Sequence, residues 1–269
     1  MTGRKSHIHI GVGGWVYEPW RGIFYPPGLA QRRELEYASR QLTSIEINGT
    51  YYGSQKPESF AKWRDETPDG FIFAVKGPRF ATNRRVLAEV GASIERFFNS
   101  GVMELKEKLG PINWQFLPTK KFELGDFEEF LKLLPRTVDG WTIRHAVEVR
   151  HESFNSSEFI ALTRNYGVAI VMAADSAFPQ ISDSTAPFVY ARIMGTVENE
   201  PAGYPDADLQ EWADRAWQWT LAAEGGGFRD VFLYTISGFK ARNPAAATAI
   251  IAKLPDDAPI TNVYGMTGG

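Results

Sequence analysis

IEINGTYY, Ile45 to Tyr52, begins as a buried strand and then puts a carboxylate where an apolar side chain belongs. Ile45 and Ile47 alternate with Glu46 and Asn48, so at a period of two the acid and the amide share one face of the strand. Any fold assigned to this chain has to explain a glutamate aimed inward.

Working outward, segments of similar character recur along the chain. With SIEINGTYY (44–52) they are HIHIGVGG (7–14), FIFAVKG (71–77), INWQFLP (112–118), HAVEVRH (145–151), VAIVMAADS (168–176), FVYARIMG (188–195) and DVFLYTIS (230–237). Their β-branched and aromatic residues, bounded by Gly, Pro or Asp, predict strands.

Helical periodicity fills the intervals. Leu35, Ala38 and Leu42 form one stripe, and Phe60 pairs with Trp63 behind Pro57. Val86, Val90, Ile94 and Phe97 mark one continuous helix over 84–98. Phe127, Phe130, Leu131 and Leu134 follow Asp126 as a candidate N-cap. Leu209, Trp212, Ala216 and Trp219 make another stripe, and the last helix starts with Asn243 as cap and Pro244 in its first turn. Such stripes are read as the faces with which helices cover a sheet. The MTGG tail is expected to fray.

Eight strands, each followed by helical sequence, in a chain of 269 residues predict an α/β fold, a single TIM-type (β/α)8 barrel. The competing open doubly wound sheet lacks its glycine signature, because GVGGW has no third glycine at the required spacing. No repeat, linker or charge run divides the chain, so one domain over 1–269 is expected, with the barrel core at about 8–254.

Composition narrows the function classes. The formal net charge of −3 argues against a generally basic nucleic-acid surface, so nucleic acid is disfavoured as a partner without being ruled out. With no cysteine, disulfides and thiolate metal sites are excluded. No leader-like apolar run opens the sequence and no stretch approaches the roughly 18 apolar residues of a membrane span, so a soluble cytoplasmic protein is expected.

In such barrels the reactive groups stand at the carboxyl ends of the strands. Taken strand by strand, those ends offer Glu46 and Asn48, Lys76, Gln115, Glu148 and Arg150 with His151 beside them, Asp175, and Tyr190 with Arg192. Glu46, Glu148 and Asp175 face Lys76, Arg150 and Arg192, a ring in which three charges of each sign are expected to cancel. A bland reading accompanies each: a structural ion network, a lysine that snorkels to water, a glutamine bonded to a neighbour's backbone. His151 falls on the face opposite Arg150, and His7, His9 and His145 lie near strand starts, where structural roles are expected. The first loop packs Trp15, Tyr17, Trp20, Phe24 and Tyr25 together, either as a plug over the barrel or as a stacking wall that Tyr51 and Tyr52 extend.

GVGGWVYEPWRGIFYP, SIEINGTYY, FAVKGPR, GPINWQFLP, VEVRHESF and YARIMG together resemble the domain-of-unknown-function 72, or YecE-like, family over about residues 8–251. The resemblance implies a TIM-type barrel with no established activity. It places the polar ring at Glu46, Asn48, Lys76, Gln115, Glu148, Arg150, His151, Asp175 and Arg192. This chain departs from the family pattern at Met194, where relatives carry His, at YTISGF and at FATNRR.

The leading functional expectation is acid/base chemistry on a small polar anion, phosphorylated or carboxylated and sugar-like. Glu46, Glu148, Asp175 and Lys76 are the catalytic candidates. Asn48, Gln115, Arg150, Arg192, Tyr190, His151, Trp15 and Tyr17 are the binding candidates, the arginine forks suiting phosphate or carboxylate. One alternative is a metal-assisted hydrolase, isomerase or nucleic-acid phosphodiesterase, with Glu46, Glu148, Asp175 and His151 as ligands. The other is a non-catalytic ligand-binding protein. No cofactor and no bound metal are predicted, and the oligomeric state is left open.

Overall fold

The computed structural model describes residues 7–221 and 229–260; the MTGG tail lies outside them. The barrel strands, in order, are Ile8–Gly13, Ser44–Ile47, Ile72–Lys76, Leu109–Gln115, His145–Glu148, a sixth strand in two pieces (Ala169–Ile170 and Met172–Ala174), Phe188–Ile193 and Asp230–Thr235. Every pairing between neighbours is parallel. The first strand pairs with the eighth from Ile8↔Val231 to Val12↔Thr235. The sixth strand closes the other side with its two pieces. Its first piece pairs with the fifth strand and its second with the seventh, and Val171 between them donates its N–H to Val147. This is the expected α/β TIM-type barrel.

Alternation along the strands divides the apolar residues into two cores. Ile8, Ile10, Ile45, Ile47, Val75, Trp114, Val147 and Leu233 pack outward beneath the helices. Ala74, Ala146, Tyr190, Phe232 and Tyr234 belong to a second cluster that fills the lumen. Glu46 lies between two outward isoleucines, so it points into that lumen.

Four local expectations give way to tertiary contacts. SIEINGTYY is strand only to Ile47; Gly49–Tyr52 is one helical turn. Thr50 Oγ1 ties that turn to the third strand by donating 2.7 Å to the Lys76 carbonyl. The helix expected over 84–98 breaks into a 3-10 turn, Leu87–Glu89, and a helix, Gly91–Phe98. Asp126 explains the break. It does not cap its own helix, a role taken by Glu123, and instead accepts from the backbone N–H groups of Leu87 and Ala88. Asn243 is likewise not a cap: it is buried, accepts from Thr196 Oγ1 and donates to the Ser237 carbonyl.

Candidate active site

Glu46, Lys76, Asn113, Glu148 and Arg192 project from five strands into the carboxyl end of the lumen. Glu46 and Glu148 are 0% exposed, Lys76 3% and Arg192 4%. An ion buried this deeply costs several kcal/mol unless bonded partners replace its water. Here they do. Arg192 bridges the two acids, donating 2.6 Å to Glu148 Oε2 and 3.2 Å to Glu46 Oε1. Asn113 Nδ2 reaches both carboxylates, at 3.3 Å from Glu46 and 3.1 Å from Glu148. Tyr190 donates its hydroxyl to Glu46 Oε2 at 2.5 Å. Arg150 takes the other oxygen of Glu148, with Nη2 at 2.6 Å and Nε at 3.0 Å. Lys76 donates to Gln115 Oε1 and lies 3.5 Å from Glu148 Oε2. Asn113 Oδ1 and Arg192 Nε have no protein partner among the described residues.

The electrostatics follow from that packing. Burial by itself would raise the Glu148 carboxyl, but Arg192, Lys76 and Arg150 overcome it and hold the group well below the usual carboxylate range. Lys76 is pushed down to about 8, first by burial and then by Arg192, against the pull of Glu148 and Glu46. Burial beside Glu46 raises the Tyr190 hydroxyl well above the usual phenol range, which keeps it a donor. The ring therefore holds one firmly ionised acid and one lysine that titrates near neutrality.

The expected cancellation of charge does not occur. Asp175 is exposed and outside the ring: its left-handed backbone (φ 53) turns the chain at the end of the sixth strand, and its carboxylate accepts from Tyr204 at 2.9 Å. Two carboxylates, Glu46 and Glu148, are left facing three cations, Lys76, Arg150 and Arg192. Lys76 does not snorkel, and Gln115 bonds it in place of a backbone group. His151 caps the turn Glu152–Phe154, its Nδ1 accepting from the Ser153 N–H at 3.1 Å. The metal alternative thus loses Asp175 and His151, and no three His, Asp or Glu side chains among the described residues are placed to share an ion.

Asn48 stays at the mouth, beside the first strand. A Cβ at Gly13 would stand 2.6 Å from Asn48 Nδ2, so glycine there makes room for the amide. The stacking-wall reading of the first loop is corrected. Trp15 packs edge-on against Trp63 and near Phe73, in the layer between strands and helices. Tyr17 packs on Trp20, which is 1% exposed and bonded to the Lys240 carbonyl. These rings pack away from the polar ring. The aromatics at the ring are others: Tyr51 has Lys76 Nζ 5.7 Å from its centroid, and Phe178 has the Arg150 guanidinium at 4.4 Å. Asn113 was readable from its parity with Gln115, two residues on; Phe178 lies in a loop, where no periodic signal exists.

A family model described as "Protein of unknown function DUF72" matches residues 9–263. The UPF0759 protein YecE of Escherichia coli strain K12 is 28% identical over 163 residues, 60% of this chain and 55% of that protein. The chain thus matches about half the length of that relative. The UPF0759 protein YunF of Bacillus subtilis strain 168 is 27% identical over 204 residues, covering 72% of this chain and 67% of YunF. Among solved structures, a DUF72 family protein of Thermotoga maritima (TM1631) superposes with a TM-score of 0.71 at 22% identity, over 92% of this chain and 98% of its own. SacUVDE superposes at 0.50 with 10% identity, over 93% and 97%, a likeness of fold alone. No helix among the described residues is long and apolar enough to cross a membrane.

Proposed function

The chain belongs to the DUF72 family, whose description assigns no activity, and we propose from the barrel mouth that it is an enzyme that binds a small anion and moves a proton on it with Lys76. The carrying observation is the unmatched third cation. Two buried carboxylates face three cations, so an incoming phosphate or carboxylate completes the charge balance instead of disturbing it. Arg150, with 19% of its side chain exposed, is the cation an anion meets from solvent, and its planar fork suits two oxygens. Both Nη groups of Arg192 are bonded to carboxylates, so it braces the ring.

Glu148 is too firmly ionised to act as a base at neutral pH. Lys76, at about 8, gains or loses a proton there at little cost and is the better general acid or base. Arg150 and Lys76 bond opposite oxygens of Glu148, so an anion on Arg150 is held beside the proton-transfer group. A phosphorylated or carboxylated sugar-like molecule fits this chemistry.

Inorganic phosphate should raise the melting temperature, by about 2.7 kcal/mol of added stability at a hundred times its Kd. Arg150→Ala should abolish that gain with the fold retained, and Arg150→Lys should restore part of it. A melting curve unmoved by tens of millimolar phosphate, in a protein whose Arg150→Ala variant is folded, would sink the anion reading.

A further inference from the structure

Outside the ring, the turn after the second strand and the segment after the third form a surface that the proton chemistry does not use. Tyr51, over Lys76, meets Tyr52 edge-on at 5.1 Å. The Arg79 guanidinium lies 5.7 Å from the Tyr52 ring and 5.8 Å from the Phe80 ring. Despite that shared cation, Tyr52 is 65% exposed and Phe80 54%. Phe80 stands as a ridge between two recesses. One, of about 400 Å³, is lined by Arg79, Asn83 and Arg84; the other, of about 90 Å³, by Ser93, Arg96 and Ser100 among others.

Arg79, Arg84 and Arg96 have no carboxylate partner among the described residues. Unpaired guanidinium groups beside open aromatic faces suit a ligand that alternates anionic and flat groups. The contrast with Arg215 is instructive. It too lies over an aromatic, Trp212 at 4.8 Å, but it pairs with Glu211 in a recess that Asp175, Glu200 and Asp208 also line. That recess repels anions; the Phe80 ridge attracts them.

We propose that the Tyr52–Phe80 ridge binds single-stranded nucleic acid, with bases stacked on the two rings and phosphates held by Arg79, Arg84 and Arg96. The chain's net charge of −3 does not oppose this, since a Debye length of about 8 Å lets a local patch act against the average. The surface serves a strand whether or not Lys76 moves a proton.

The test is fluorescence anisotropy of a labelled oligothymidylate against the full chain, with inorganic polyphosphate as competitor. Three phosphate contacts predict log Kd rising with log salt at a slope of about 2. Phe80→Ala and Tyr52→Ala should each weaken binding about 5- to 150-fold, and Arg84→Ala should lower the slope by about 0.7. All three variants should keep the part of the phosphate-induced rise in melting temperature that Arg150→Ala removes. Polyphosphate competing as well as the oligonucleotide, or folded Phe80→Ala and Tyr52→Ala variants binding like the parent, overturns the proposal. So does an oligonucleotide that fails to bind at low salt while Phe80→Ala splits a dimer, since the ridge is then a contact between copies.

Discussion

The two ends of the barrel handle charge differently. At the amino end, Arg144 and Asp230 pair at 2.8 Å, with 23% and 10% of their side chains exposed, and both line an open cavity of about 660 Å³. Arg144 also lies on the Phe232 ring, with His9 stacked on the same phenyl. At the carboxyl end Glu46, Glu148, Lys76 and Arg192 are almost wholly buried, and with Arg150 the signs do not balance. A partly solvated pair contributes little to stability in either direction. An unmatched buried set carries a desolvation cost that packing alone would avoid. Charge retained under those terms points to chemistry, and that is why the mouth, and not the amino-end cavity, is read as the site.

The largest expected effect comes from Glu148→Ala. It strips an acceptor from Arg150, Arg192, Asn113 and Lys76 at once and should cost about 3–5 kcal/mol in urea denaturation. A loss under 1 kcal/mol would show that the ring is wetter and less committed than its burial implies. Next comes Lys76→Met, which removes the excess cation. It should leave stability at pH 7 unchanged or raise it by up to about 2 kcal/mol, while abolishing the phosphate-induced shift. Strong destabilisation would make Lys76 a structural member of the network.

The pH dependence sharpens the same contrast. Between about 8, the Lys76 value in the folded protein, and the ordinary lysine value of about 10.4, the unfolded chain holds a proton that the folded one has released. Through this group, stability rises with pH across that window, whereas phosphate binding falls as the cation is lost. Melting curves should show the alkaline contribution disappear in Lys76→Met. On the acid side Glu148, held low by its cations, and the buried His9 and His145, pushed down to about 3 and about 4, all resist protonation. Stability therefore declines as pH falls below the ordinary histidine value and further through the carboxylate range. The smallest effect is expected at the other end: Asp230→Asn should cost less than about 1 kcal/mol, since its partner is partly solvated. Equal losses from Asp230→Asn and Glu148→Ala would erase the distinction between the two ends.

Much of this was legible in the chain because parity is rigid inside a strand. IEI put Glu46 in the lumen, HAVE did so for Glu148, and FVYAR set Tyr190 and Arg192 on one side. Legibility ended where strands ended. Asp175 has the right spacing but follows the last paired residue of its strand, and a left-handed turn takes it elsewhere. Tyr51 was read as strand and sits on a helical turn, which is what places it over Lys76. Trp15 and Tyr17 belong to a loop whose direction no periodicity encodes. The sign of the net charge at the mouth followed from where that turn puts Asp175, so it could not be had from composition.

The divided sixth strand has a consequence for how the barrel opens. The first and eighth strands share five registered pairs, whereas the sixth holds the fifth by two and the seventh by three. With so few registered pairs on each flank, this seam should open locally more readily than the junction of the first and eighth strands, and its amides should exchange with solvent deuterium ahead of those there. Phe178, which covers Arg150, is carried on the segment that leaves this seam. On the proposed function, breathing of the seam would also move Phe178 and uncover Arg150 to an incoming anion.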